Sequence, residues 1–340
     1  MIGFSVCLAS YLHTIDPYAL KLWDDGPIRW YGLAYLVGFL IGYILIRRVA
    51  KVGVSTLDPQ KAGDFVVAVA LGVVIGGRLG YCVFYRPDLL VDFHGSLPFW
   101  GALEINKGGM ASHGGILGGL IACTYYAIRH HHSKLFLVDL VAFGAPLGLF
   151  FGRIANFING ELYGRACDPG FPLAVRFPQE MYDWTPDRIA QLDRALPRPV
   201  DLGIVGQQWT LPRIIEQIQA GHPQVIALVE PMITPRHPSQ LYAALLEGLL
   251  VFLVLAVLWF KPRKPGTLMC AFFVVYGSVR IFDELFRMPD AHLGFQALGL
   301  TRGQWLSVPL VLMGVIGWVW CSRRKVNPMG GWRSTSSLTG

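Results

Sequence analysis

The stretch from Gly144 to Arg165 reads GAPLGLFFGRIANFINGELYGR. Its first half has the pattern of an apolar helix in which Gly144, Gly148 and Gly152 recur every fourth residue. Its second half carries Arg153, Asn156, Asn159, Glu161 and Arg165. In lipid an arginine at mid-span costs roughly 2.5–3.5 kcal/mol on insertion scales, so an arginine inside such a segment points to a functional site. A long arginine side chain can instead reach back to the headgroups, and the rest of the chain has to separate the two readings.

The 340 residues are 53% hydrophobic and only 15% charged, with a mean hydropathy of +0.45. Such a chain reads as an all-α polytopic membrane protein and not as an ordinary soluble domain. The formal charge of +7 sits in short basic clusters between apolar runs, which fits membrane topology better than nucleic-acid binding, and no nucleic-acid partner is expected. Cys7, Cys82, Cys123, Cys167, Cys270 and Cys321 show no CxxC pair and no metal-ligand spacing, so they are expected to be small buried side chains. The tract His130, His131, His132 resembles a metal-binding run, but it lies beside Arg129 and Lys134 and no metal is assigned to it. The first twenty residues lack the basic start of a signal peptide.

Seven stretches are long enough to cross a bilayer: Trp30 to Ile46, Ala62 to Tyr85, Ser112 to Ile128, Leu135 to Phe157, Pro238 to Phe260, Gly266 to Phe286 and Gln304 to Trp320. Basic clusters follow the first span (Arg47, Arg48, Lys51), the third (Arg129, Lys134), the fifth (Lys261, Arg263, Lys264) and the seventh (Arg323, Arg324, Lys325). The positive-inside rule places these four in the cytoplasm, with the N-terminus outside and the C-terminus inside. The expected organisation is an outer N-terminal arm over 1–29, four spans over 30–158, an insert over 159–236, three spans over 237–322, and a structureless cytoplasmic tail over 323–340. Leu173, Val175 and Phe177 alternate within the insert, so it is expected to fold as a small mixed head with some strand. Glycines four apart in the first four spans indicate close helix packing.

This topology brings unusual polar residues to one leaflet. Tyr31 is near the outer end of the first span, Arg78 lies in the outer half of the second, and His113 opens the third. Arg153 and Asn156 share a face at the outer end of the fourth. His237, Pro238, Ser239 and Gln240 start the fifth, and Tyr276, Arg280, Glu284 and Arg287 form one stripe on the sixth. Converging arginines suggest an anion, and phosphate is the group that a guanidinium pairs with bidentately. Asp139 differs, because in the first turn of the fourth span on the cytoplasmic side it suits its own helix N-terminus.

Taken in order, WYGL from Trp30, GGRLGY from Gly76, SHGG around His113, GRIANFINGELYGR from Gly152, RHPSQLY from Arg236 and YGSVRIFDELFR from Tyr276 resemble the hallmarks of the bacterial prolipoprotein diacylglyceryl transferases. The resemblance spans nearly the whole chain. Two departures are Ala111 and Ser112 before His113, and Val279 before Arg280, which leave every chemical group in place. The resemblance implies a multi-pass protein of the bacterial inner membrane. It implies transfer of an sn-1,2-diacylglyceryl group from phosphatidylglycerol to the lipobox cysteine in a preprolipoprotein signal peptide, with release of sn-glycerol 1-phosphate and no cofactor. It carries functional importance onto Tyr31, Arg78, His113, Asp139, Arg153, Asn156, Glu161, Gly164, Tyr276, Arg280 and Glu284, with Arg153 matching the family's phosphatidylglycerol-binding arginine. His113 is expected to be the base for the substrate thiol or a ligand of the lipid headgroup. The other class the residues allow is a transporter or flippase for an anionic lipid or solute, which would be expected to place its polar groups near mid-membrane between repeats.

Overall fold

A computed structural model describes residues 10–20, 28–52, 54–95, 98–105, 108–204, 208–289 and 296–332. Its helices are α1 Trp30–Val52, α2 Ala62–Phe84, α3 Ser112–Arg129, α4 Lys134–Asn159, α5 Pro186–Ala195, α6 Leu211–Gln219, α7 Pro223–Val229, α8 Ser239–Leu258, α9 Thr267–Asp283 and α10 Arg302–Arg323. Helices occupy all seven stretches expected to span a bilayer. Five of them are long and apolar enough to cross a membrane: α1, α2 with the turn before it, α4, α8 and α10. The other two, α3 and α9, are not among these, and α9 has only 17 residues.

The chain divides into two compact units. One comprises residues 37–148, 250–277 and 309–340. Here the spaced glycines act as the sequence suggests, because Gly72, Gly76 and Gly80 of α2 lie against Gly114 and Gly118 of α3, and a Cβ at Gly76 would fall 2.3 Å from the Gly114 carbonyl oxygen. Only small residues let two backbones meet so closely, and in lipid that contact replaces hydrophobic burial as the source of helix association. At one end of this unit the segments carrying the basic clusters meet. Val54 pairs with Gly330, Arg263 pairs with Met329, and Lys264 Nζ donates to the Ser322 carbonyl at 2.6 Å. This corrects the expected structureless tail as far as Trp332, whose ring packs on Phe143 at 6.0 Å. Residues 333–340 lie outside the described part.

The other unit comprises residues 1–36, 149–249 and 278–308. Its insert builds a core of its own around Met181, Leu192, Ile214, Ile218, Val225 and Val229. In α6, LPRIIEQIQ, a proline in the first turn fixes the helix start, and Ile214, Ile215 and Ile218 form one buried face. The expected strand content is small. A three-stranded sheet joins β1 (Tyr11–Leu12), β4 (Val175–Arg176) and β5 (Pro235–Arg236), while β2 (Tyr18–Leu20) pairs with β3 (Ile28–Arg29). Val175 and Phe177 are buried but Leu173 is exposed, so the alternation covers barely one strand.

Candidate functional site

Three helix segments of the second unit carry an ionic cluster. On α4, Arg153 and Asn156 lie three residues apart. The middle of α8, Ala244–Leu250, is wound as a π-helix, an irregularity that recurs at functional sites. Gly248 lies in that turn, and a Cβ there would fall 2.6 Å from Phe150 Cβ, so α8 approaches α4 closely one residue after Glu247. Glu247 is fully buried. Its Oε2 accepts from Arg153 Nε and Nη2 at 3.1 and 2.8 Å, and its Oε1 accepts from Arg280 Nη1 at 3.0 Å. Arg280 Nη1 also lies 3.3 Å from Asp283 Oδ2, and its Nη2 pairs with Glu284. That last pair lies over Gly303, where a Cβ would sit 2.5 Å from Glu284 Oε1.

Two guanidiniums therefore face three carboxylates. The arginines expected as phosphate receptors are paired with the protein's own acids. Burial raises the stakes, since a charge that loses its partner in a low-dielectric site costs several kcal/mol.

Asn156 centres a second group. Its Nδ2 donates to Tyr31 Oη at 2.8 Å and to Glu161 Oε1 at 2.7 Å, so three expected residues meet. The turn behind them is strained, with Gly160 at φ 66° and Leu162 at φ 57°, and a non-glycine residue there costs about 1–3 kcal/mol. Gln240 Nε2 and Ser239 Oγ donate to the Glu161 and Leu162 carbonyls at 2.7 and 3.1 Å and hold this turn. Gly164 lies against the His237 carbonyl, 2.4 Å from where its Cβ would be, and Gly164 N donates to that oxygen at 3.0 Å. His237 thus serves the loop through its backbone, while its Nδ1 lies 3.3 Å from Tyr242 Oη. Burial and the adjacent Asp183 carboxylate push the Tyr163 phenol above its ordinary value.

Arg78, His113, Asp139 and Tyr276 belong to the first-described unit. Arg78 donates to the carbonyls of Gly101, Ala102, Gly108 and Gly109 at 2.9, 2.7, 2.6 and 3.0 Å, so four of its bonds go to backbone. His113 is exposed in the first turn of α3, and Tyr276 stacks on Phe272 at 5.2 Å. Asp139 does not serve its own helix. It accepts from Gly266 N at 2.7 Å and Met269 N at 2.8 Å, capping the start of α9.

Glu247 and Asp283 escaped the sequence reading. The signal for Glu247 was present as a single acid in the apolar run from Leu241 to Phe260, which the rule for intramembrane charges flags. Asp283 stands beside Glu284 and was hidden by it. Among the described residues no three His, Cys, Asp or Glu side chains converge as metal ligands, and the described cysteines are free thiols. Cys7 lies outside the described part.

A family model described as prolipoprotein diacylglyceryl transferase matches residues 17–320. A phosphatidylglycerol–prolipoprotein diacylglyceryl transferase of Bdellovibrio bacteriovorus is 48% identical over 346 residues, covering 96% of this chain and 98% of its own. Proteins of the same name from Rhodospirillum centenum and Burkholderia cenocepacia are 42% and 39% identical, covering 88% and 91% of this chain and 90% and 96% of theirs.

Proposed function

The chain belongs to the prolipoprotein diacylglyceryl transferase family, and from that premise we propose how it works as a transferase on phosphatidylglycerol and a prolipoprotein. The thiolate of the prolipoprotein's lipobox cysteine attacks the glyceryl carbon that carries the phosphate. A carbon–sulfur bond forms, the carbon–oxygen bond breaks, and sn-glycerol 1-phosphate leaves with the electron pair. The thiol proton passes to a base.

Support for the phosphate site comes from the pairing of Arg153 and Arg280 through Glu247. Glu247 pairs with both guanidiniums at once, Arg153 through Oε2 and Arg280 through Oε1. Phosphate oxygens take the place of a carboxylate on each fork, and the donors then lie where negative charge develops on the leaving group. Asn156, Tyr31 and Glu161 position the polar head of the lipid. His113, exposed at the first turn of α3, is the proposed proton acceptor. A His113→Gln variant loses activity near neutrality and regains it toward the thiol's own pKa of about 8.5. An unchanged pH profile makes His113 a ligand of the lipid headgroup and leaves the proton acceptor to be sought elsewhere.

Orientation is proposed with the basic loops in the cytoplasm of a bacterial inner membrane and the insert outside, on the positive-inside rule. The deciding experiment reconstitutes the full chain in phosphatidylglycerol vesicles with a lipobox peptide. A thioether-linked diacylglyceryl peptide is the expected product. Lipid movement across the bilayer without peptide modification would replace the transferase reading by that of a flippase.

A further inference from the structure

The four carbonyl partners of Arg78 all lie in the α2–α3 connection, at the end of these helices opposite the basic loops. This connection is not an ordinary solvated loop. Phe93 and Trp100 form an antiparallel bridge, with rings stacked at 5.9 Å, and Trp100 Nε1 donates to the Leu90 carbonyl at 3.1 Å. Folding it this way exposes its large apolar side chains: Val91 at 76%, Phe93 at 71%, and Phe99 and Leu103 at 54% each. Phe99 has φ 66°, a conformation that a bulky residue adopts only when its surroundings impose it.

Apolar exposure of that extent marks a contact surface, and its continuation identifies the partner. Along α2, Val67, Leu71, Ile75, Leu79 and Val83 are all exposed and spaced four apart, a single stripe on a helix apolar enough to cross a membrane. The stripe runs into Phe84 and Tyr85, also exposed, and then into the connection. Polar groups are interleaved: Arg86 and Asp88 form an exposed pair, and His94 lies 3.5 Å from Glu104. An apolar face with a polar rim, continuous with a lipid-facing helix, has the composition of an element lying in the bilayer interface.

We propose that the described parts of this connection, residues 86–95, 98–105 and 108–110, lie in the interface of the bilayer that α2 crosses. Val91, Phe93, Phe99 and Leu103 enter the acyl layer, and Arg78 is the positioning residue that fixes the loop in that form. The guanidinium ties Gly101 and Ala102 on one side of the loop to Gly108 and Gly109 on the other. A shorter neutral residue cannot span both sides of the loop: Gly101 O keeps the Glu104 amide, but the tie between Gly101–Ala102 and Gly108–Gly109 is lost, which lets the apolar side chains fold away from the lipid.

The test uses the full chain in phosphatidylcholine–phosphatidylglycerol vesicles, with Cys7 and Cys167 replaced by serine and a nitroxide attached to a cysteine at position 99, 103 or 194. At 99 and 103, collisions with oxygen should exceed those with a water-soluble nickel chelate. At 194, exposed on the insert, the order should reverse. Arg78→Gln, and to a lesser degree Arg78→Lys, should lose the oxygen preference at 99 and 103. Nickel-dominated collisions at 99 and 103 with Arg78 present would overturn the membrane assignment. So would spin–spin broadening that disappears on dilution with unlabelled protein, which would make this face a contact between copies. An unchanged oxygen preference in both Arg78 variants would remove Arg78 from the positioning role.

Discussion

Glu180 in the insert and Glu247 in α8 are both fully buried carboxylates set between two arginines, yet their surroundings differ. Glu180 accepts from Arg236 Nε at 2.7 Å and Arg188 Nη2 at 3.3 Å, and also from Trp184 Nε1 at 3.1 Å and Thr234 N at 2.9 Å. An indole and a backbone amide cannot swing away, so Glu180 is locked. Among the described residues the side chains bonded to Glu247 are guanidiniums, on flexible stems, and one of them also serves Asp283 and Glu284. A carboxylate held by fixed donors is architecture, whereas one held by mobile cations can be exchanged for another anion.

The largest effect is expected where the fixed arrangement is broken. Glu180→Ala removes the counter-charge of two arginines and the acceptor of Trp184 Nε1 and Thr234 N, and should destabilise the fold by about 3–5 kcal/mol, read from thermal unfolding. Turnover per folded molecule should stay within severalfold of the parent. A large loss of turnover with unchanged stability would erase the distinction between the two carboxylates.

Arg153→Ala and Arg280→Ala invert that pattern. Each should lower peptide lipidation by on the order of 10²–10³, the usual cost of removing one donor from a developing charge. Arg280→Lys should recover only part, since a point charge lacks the planar fork. Near-normal turnover in Arg153→Ala would make the cluster a second piece of architecture like that around Glu180.

His13 sharpens the contrast from a third direction, because it is buried against the rings of Phe157 and Phe177, at 5.3 Å from each. Burial pushes its pKa down to about 4 from 6.5. The folded chain therefore keeps His13 neutral where the unfolded chain protonates it. Its contribution to stability is complete above about pH 6.5 and is lost as pH falls toward 4, by about 1.4 kcal/mol per unit. Thermal unfolding from pH 8 to pH 4.5 should show this slope in the parent and not in His13→Phe. An equal slope in both would place the acid sensitivity elsewhere.

Much of this was legible in the chain. Helices over the seven apolar stretches read clearly because apolar runs are local signals, five of them long and apolar enough to cross a membrane, and Tyr31 and Asn156, read from the sequence as neighbours, are hydrogen-bonded. What stayed hidden depends on register and on backbone. The π-turn that accompanies Glu247 leaves no periodic trace in ALLEGLL. Arg78 looked like a phosphate ligand because carbonyl acceptors have no sequence signature. The tail was read from its glycines and serines, yet Gly330 and Gly331, at φ 80° and 87°, are what let residues 329–332 turn against Trp259 and Pro262.

Asp139 provides the smallest and most discriminating case. Its partners are the backbone amides of Gly266 and Met269, more than a hundred residues away in the chain, so a local reading assigned it to the wrong helix. By the criterion that separates Glu180 from Glu247 it is architecture, since both donors are fixed. Asp139→Ala should cost about 1 kcal/mol, the usual value of a lost helix cap. Asp139→Asn, which keeps one oxygen, should cost less, and neither should change turnover per folded molecule. The family resemblance gives Asp139 functional importance, and a cap explains that through the start of α9, the helix that carries Arg280 near its other end. If Asp139→Asn lowers turnover tenfold at unchanged thermal stability, the carboxylate has a part in the reaction that its backbone partners do not reveal, and fixed donors would no longer identify a structural charge.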